Sequence, residues 1–196
     1  MEKVQKVTSK VIPLPMKDVD TDLIIPAQYL TSISREGFGQ HLFKRLREAD
    51  ANFPFNKPEY AGAQILVTDS NFGCGSSREH AVWALYDAGI RVIVAKSFAD
   101  IFYNNSAKNG LLLVTLPEST VDEILRHAQT ENYTLAVDLE KQEVRFPDNS
   151  TVEFNYDPFR KHCLLNGHDD IDYILSHRQT IEKFRERQQT AVASHK

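Results

Sequence analysis

Asp69-Ser70-Asn71-Phe72-Gly73-Cys74-Gly75-Ser76-Ser77-Arg78-Glu79-His80 is the stretch on which the fold turns. In front of it, Gln64-Ile65-Leu66-Val67-Thr68 is a short, β-branched apolar run, the mark of a buried strand. Behind it, Ala81-Val82-Trp83-Ala84-Leu85-Tyr86 opens a helical pattern that Gly89 stops. Strand, glycine-rich turn, helix is the order of an α/β protein. Gly73 and Gly75 admit backbone angles closed to other residues. Ser76 and Glu79 have capping-box spacing, which predicts a helix start at Ser76. Main-chain N–H groups, the positive end of the helix dipole and Arg78 would then meet at one point, a place for a small anion between the hydroxyls of Ser76 and Ser77. A plain capped turn accounts for Ser76 and Glu79 equally well. The stretch lacks both the P-loop lysine and the three-glycine dinucleotide spacing, so a compact carboxylate suits it better than a nucleotide phosphate.

The bulk numbers exclude several classes of function. A chain of 196 residues fits one compact domain, 1–196, with a substantial core. Its formal charge of −4 leaves no basic excess to neutralise phosphates, which argues against a nucleic-acid partner. No apolar run approaches the ~20 residues of a membrane-spanning helix. Met1-Glu2-Lys3-Val4-Gln5-Lys6 has no apolar core and does not read as a signal peptide. Two cysteines, Cys74 and Cys163, make no disulfide framework, so a reducing cytoplasm is the expected compartment.

Around the central stretch, Lys6 to Leu14 reads as an opening strand ended by Pro13 and Pro15. Asp18, Asp20 and Asp22 follow, a solvated turn rather than an EF-hand loop, whose Gly and distant Glu are missing. Leu42 to Ala49 reads as a charged helix and Asp50 to Tyr60 as an exposed connection; Arg35 and His41 read as surface residues. Strands at Gly89–Ala95 and Leu111–Val114 enclose a helix from Lys96 to Ser106, so parallel β-α-β units with both faces covered are expected. Ser97, Asp100 and Asn104 fall near strand ends, where open α/β sheets bind ligands, although a polar helix start explains them too. Glu118 to Thr130 is an amphipathic helix with Val121, Ile124 and Leu125 inward. Tyr133–Leu139, Glu143–Phe146 and Thr151–Phe154 alternate with period two, the pattern of an antiparallel meander. Asp157-Pro158 starts a helix that Asn166-Gly167 ends, and Asp169 to Gln189 is a further helix, increasingly charged. His162 and Cys163 are adjacent, about 100° apart on a helix, a poor chelate and better core.

Asn71-Phe72-Gly73-Cys74-Gly75-Ser76-Ser77-Arg78-Glu79-His80 resembles the signature of the aconitase-superfamily swivelling domain, in the form carried by isopropylmalate dehydratase small subunits. Asp20-Thr21-Asp22-Leu23-Ile24-Ile25-Pro26, Gly37-Phe38-Gly39-Gln40-His41-Leu42-Phe43 and Ser97-Phe98-Ala99-Asp100-Ile101-Phe102 resemble further runs of the same family. The resemblance implies a swivel-domain α/β fold (β/β/α) of parallel βαβ units with the added meander and C-terminal helices. It also implies a hydro-lyase that moves a hydroxyl between neighbouring carbons of a small dicarboxylate, here 2-isopropylmalate and 3-isopropylmalate through isopropylmaleate, in leucine biosynthesis.

By the same resemblance Ser76 is the base, Ser77 and Arg78 hold substrate carboxylate, and Gly75 lets the main chain approach. Tyr29-Leu30-Thr31 corresponds to the loop that meets the substrate's side group, and without a charged residue it favours an apolar one. Ordinary core packing accounts for Tyr29 and Leu30 as well. Cys74 stands where aconitases proper carry Glu and reads as packing. Relatives use a [4Fe–4S] cluster on the large subunit or other domains, and two cysteines here cannot supply the several thiolates a cluster takes. The expectation is therefore no cofactor on this chain and a large cluster-bearing partner subunit, without which it is inactive. A citraconate, methylmalate or homoaconitate hydro-lyase subunit, or a non-catalytic anion-binding module, are the alternatives.

Overall fold

The computed structural model describes residues 1–30, 36–130 and 132–193. Its centre is the opening strand, β1 (Lys6–Leu14), which has a different neighbour along each half. Lys6 to Lys10 pair antiparallel with β5 (Thr134–Asp138), whereas Val11 to Leu14 pair parallel with β2 (Ile65–Thr68). β3 (Val92–Ala95) and β4 (Leu112–Thr115) continue the parallel side; β6 (Glu143–Arg145) and β7 (Thr151–Glu153) continue the antiparallel side. The seven strands lie in the order β4-β3-β2-β1-β5-β6-β7. The expected parallel units and meander are thus two halves of one sheet. Pro13 does not end β1, because the antiparallel pairing has already stopped at Lys10 and the strand runs on to Leu14 beside β2.

Eight helices are present among the described residues: α1 (Thr21–Ile24), α2 (Lys44–Ala49), α3 (Glu79–Asp87), α4 (Asp100–Lys108), α5 (Glu118–Thr130), α6 (Pro158–Asn166), α7 (Asp170–Ser176) and α8 (Arg178–Ala193). The two faces of the parallel half carry separate cores. Ile12, Leu14, Leu66, Ile93 and Leu113 pack on one face against α3 and α4, through Val82, Leu85 and Phe102. On the other face, Val11, Ile65, Val67, Val92 and Val94 pack against α5. This is why β3 is apolar throughout and β2 is apolar up to Thr68, whose buried hydroxyl donates to the Met16 carbonyl at 3.1 Å: a parallel strand covered on both faces has no solvent side. In α5, Val121, Ile124 and Leu125 are buried as the periodicity predicts, each contributing about 1.5–3 kcal/mol on full burial.

The connection from Asp50 to Tyr60 is less exposed than its prolines suggest. It includes two short 3-10 turns, and Phe53 and Phe55 pack around Phe43, edge-on and tilted, with ring centroids 5.8 and 5.0 Å away. α6 has Asp157 as its N-cap and ends on Gly167, whose φ of +71° closes the helix. Within it Cys163 is buried core, but His162 is exposed and meets Tyr173 edge-on. The long final helix is broken at His177. The His177 Nδ1 and the Ser176 Oγ both lie within 3.0 Å of the Tyr173 carbonyl, so side chains occupy the oxygen that would carry the helix onward. Asp169 and Asp172 form a reciprocal capping box at the start of α7. α7 and α8 leave Ile171, Ile174, Leu175, Ile181 and Phe184 between 43 and 66% exposed.

Candidate active site

Three segments leave the same edge of the sheet, where the parallel strands β1, β2 and β3 end: 15–25, 69–78 and 96–99. Hydrogen bonds of their main chains, one of them to a side-chain hydroxyl, bind them into one block. The Asn71 N–H donates to Ser97 Oγ at 2.8 Å, and the Ala99 N–H donates to the Phe72 carbonyl at 3.0 Å. The Gly73 N–H donates to the Val19 carbonyl at 2.8 Å, and the Thr21 N–H donates to the Cys74 carbonyl at 3.0 Å. Behind them Lys96 bridges Asp69 at 3.2 Å and Asp122 at 2.6 Å. Burial pushes the Asp69 carboxyl up, but the Ser70 amide and Lys96 outweigh it and hold it below the usual carboxylate range.

The two glycines have different reasons. A Cβ on Gly73 would stand 2.6 Å from Phe102 Cβ, so this glycine makes room for α4 rather than for a ligand. Gly75, at φ +83°, lies close against Asp20: a Cβ there would stand only 3.3 Å from Asp20 Cβ, a crowded contact, so both the backbone angle and the space favour glycine. Beyond it Ser76 and Ser77 are exposed, and with Arg78 they face Ala99, Asp100 and Asn105 across a cleft of about 240 Å³. Asn105, rather than the Asn104 that the sequence singles out, lines it; Asn104 turns back to the Asp100 carbonyl at 3.0 Å.

The helix expected to begin at Ser76 begins at Glu79, with Arg78 as an extended N-cap and no side-chain cap. The capping box fails because the Glu79 carboxylate accepts from Asn109 Nδ2 at 2.8 Å instead of folding back. α4 likewise starts at Asp100 after Ala99, without a side-chain cap. Two helix starts without an N-cap side-chain hydrogen bond therefore border the cleft, an arrangement that favours negative charge.

Arg78 is not a lone cation there. Its guanidinium pairs with the Asp22 carboxylate, and this hydrogen bond is the chief reason that carboxyl titrates below its ordinary value. The three aspartates of the 18–22 turn thus have three separate tasks. Asp18 accepts from Asn71 Nδ2 at 2.6 Å, Asp20 caps α1 through the Leu23 N–H at 2.7 Å, and Asp22 holds Arg78. Thr21, between them, is 2% exposed and donates its hydroxyl to the Ser76 carbonyl at 2.8 Å.

Tyr29 lies in a 3-10 turn and stacks on His41, ring centroids 3.9 Å apart and planes within 9°. Burial and then Lys44 push the His41 imidazole below its ordinary pKa, and among the described residues its buried Nδ1 has no hydrogen-bond partner. His41 is thus a plate beneath Tyr29, not the bystander that its sequence position suggests. Tyr29 and Leu30 are partly buried against the core and do not line the cleft; Thr31 and Arg35 lie outside the described residues. Burial, then Asp20 and Asp18, push the Cys74 thiol up, away from the thiolate form that reacts. Cys163 is buried on α6, and among the described residues no three His, Cys, Asp or Glu side chains are grouped to hold a metal ion. The two cysteines do not fit a cluster site. Larger clefts of about 380 and 340 Å³ lie elsewhere, but neither is lined by the serines and Arg78.

The Aconitase C-terminal domain family model matches residues 1–119, and the LeuD_N model matches residues 122–158. A 3-isopropylmalate dehydratase small subunit of Francisella philomiragia is 50% identical over 188 residues, 96% of this chain and 99% of the relative. The chain belongs to the family of 3-isopropylmalate dehydratase small subunits. The small subunit of Parvibaculum lavamentivorans is also 50% identical, over 95% of this chain and 96% of its own. A crystal structure of 3-isopropylmalate dehydratase from Methanocaldococcus jannaschii matches with a TM-score of 0.69 at 31% identity, covering 92% of this chain and 99% of that one. The swivel-type α/β fold of this dehydratase family is therefore the one seen, and a small subunit of an aconitase-family hydro-lyase works with a large subunit. No described helix is long and apolar enough to cross a membrane.

Asp22 and Thr21 lie beside the cleft, in the run that resembles the family's loop near the active-site mouth, and the structure gives each a specific partner, Arg78 and the Ser76 carbonyl. Nothing local in Asp-Thr-Asp marks these roles, because both partners lie more than fifty positions away.

Proposed function

We propose that this chain, joined to its large subunit, interconverts 2-isopropylmalate and 3-isopropylmalate through isopropylmaleate, as a cytoplasmic step of leucine biosynthesis. The observation that supports it is the exposed Ser76 hydroxyl beside Arg78, on a cleft bordered by two helix starts that no side chain caps. Ser76 Oγ takes the proton from the carbon next to a substrate carboxylate and returns a proton to the neighbouring carbon when the double bond is rehydrated. A serine alkoxide is too costly in water at neutral pH, and nearby N–H dipoles and a guanidinium lower that cost. Ser77 and Arg78 hold the carboxylate, Arg78 sharing its donors between substrate and Asp22, and Gly75 admits the main chain. Tyr29, Leu30 and Thr31 are assigned to the apolar side group on the family resemblance alone, since Tyr29 and Leu30 do not line the cleft of this chain. The Lewis acid is assigned to a [4Fe–4S] cluster on the large subunit, because the cysteines of this chain are on separate elements, one of them buried.

Reconstitution with cluster-loaded large subunit tests the proposal, with hydration of citraconate or isopropylmaleate as the readout. Ser76→Ala is expected to lower turnover by about 10²–10⁴-fold, the usual worth of a positioned base, while assembly is retained. Near-normal turnover would remove Ser76 from the role.

A further inference from the structure

Thr21 grips the Ser76 loop at two points on either side of Gly75. Its main-chain N–H donates to the Cys74 carbonyl at 3.0 Å, and its hydroxyl donates to the Ser76 carbonyl at 2.8 Å. A glycine at φ +83° is the most easily rotated link in the loop, so bonds to both flanking carbonyls remove the freedom it introduces. The grip itself is firmly mounted. Thr21 is 2% exposed and opens α1, where its own carbonyl accepts from the Ile25 N–H at 2.9 Å. The Ser76 carbonyl and the Ser77 N–H belong to one planar trans peptide and point in opposite directions. With the carbonyl turned inward onto Thr21, the Ser77 N–H is turned outward, on the side where Ser76 and Ser77 are exposed along the cleft.

We propose that Thr21 is a positioning residue: its hydroxyl sets the Ser76–Ser77 peptide so that the Ser77 N–H and the Ser76 hydroxyl both face the reacting dicarboxylate. This rests on the reading of Ser76 as the base. Thr21 lies at the floor of the cleft, 2% exposed, with its hydroxyl engaged by the Ser76 carbonyl, so it acts through the loop. Its contribution is to hold one N–H donor and one hydroxyl in register, and loss of register near a reacting atom costs up to about 100-fold in rate.

The test compares Thr21→Val, which keeps the shape without the hydroxyl, with Thr21→Ser, which keeps the hydroxyl, in the reconstituted two-subunit enzyme. Thr21→Val is expected to lower kcat by roughly 10- to 100-fold with KM changed less than about threefold, and Thr21→Ser to restore most of it. In a Ser76→Ala background, Thr21→Val is expected to add little, because both act on one loop. Affinity for the large subunit and melting temperature are measured alongside; Thr21→Ala replaces the valine variant if that does not assemble. Wild-type kcat in Thr21→Val, failure of Thr21→Ser to rescue, or full multiplicative loss in the double variant would each overturn the proposal. Ser76→Ala alone separates the two readings: if it is active, the base assignment fails, and if it is dead while Thr21→Val is normal, only the positioning role fails.

Discussion

Gly73→Ala puts the packing of the cleft wall to a direct test. Gly73 sits at φ +79°, and an added methyl would stand 2.6 Å from both Cβ and Cδ1 of Phe102, far inside van der Waals contact. Two costs add. An L-residue in the left-handed region loses about 1–2 kcal/mol, and forcing a methyl into a filled core loses about 1–3 kcal/mol. The sum is ~2–5 kcal/mol, a large part of the stability of a domain this size. Phe102 cannot swing aside, because it is 3% exposed and its ring lies edge-on to Phe72, centroids 5.4 Å apart. Phe102→Ala alone should cost about 3–5 kcal/mol through its cavity. Combining the two should cost less than their sum, since the cavity accepts the methyl, and the saving isolates the clash from the φ strain. Urea unfolding of the isolated chain, with slopes compared between variants, measures all four corners of the cycle. Strict additivity, or a Gly73→Ala variant within ~0.5 kcal/mol of the parent, would refute the reasoning.

Other outcomes follow from the same contacts. Asp22→Asn should change stability by less than ~1 kcal/mol, since the Asp22 side chain is 42% exposed, yet raise KM by freeing Arg78 from its set position. The stability difference should be present at neutral pH and vanish as pH falls through the depressed titration of Asp22, because a lowered carboxyl pKa stabilises only above it; thermal melts from pH 7 to 3 show this. His41 carries the same sign, its folded pKa being lowered: the protein should lose stability as pH drops below about 6.5, and His41→Phe, which keeps the stack on Tyr29, should flatten that loss. Ile174→Lys and Phe184→Glu, on exposed faces, should leave the unfolding midpoint of the isolated chain within ~0.5 kcal/mol of the parent.

What the sequence shows and hides follows the range of the forces involved. α5 runs from Glu118 to Thr130 as read, because its apolar positions repeat at helical spacing and nothing distant contradicts them. The apolar runs of β2, β3 and β4 and the alternation of β5, β6 and β7 reveal which strands are buried on both faces and which on one. The start of α3 was misplaced by three residues because Glu79 finds Asn109 rather than its local partner. The same blindness hid the Asp22–Arg78 pair and the Thr21 hydrogen bond to Ser76, each linking residues more than fifty positions apart. Local rules predict a cap or a turn; contacts across the sheet edge decide which one forms. The cleft residues Ser76, Ser77 and Arg78 were legible only as a motif, and their mutual placement was not.

β1 gives the molecule a particular folding problem. Val11 finds Ile65 only after 54 intervening steps of chain, and Lys6 finds Asp138 after 132. The strand that every other strand is ordered around must therefore wait for both its neighbours, with its apolar half unshielded meanwhile. Such distant pairings close slowly, so collapse around the middle strand should be the late, rate-setting event, and the parallel crossovers β2-α3-β3 and β3-α4-β4 the early ones.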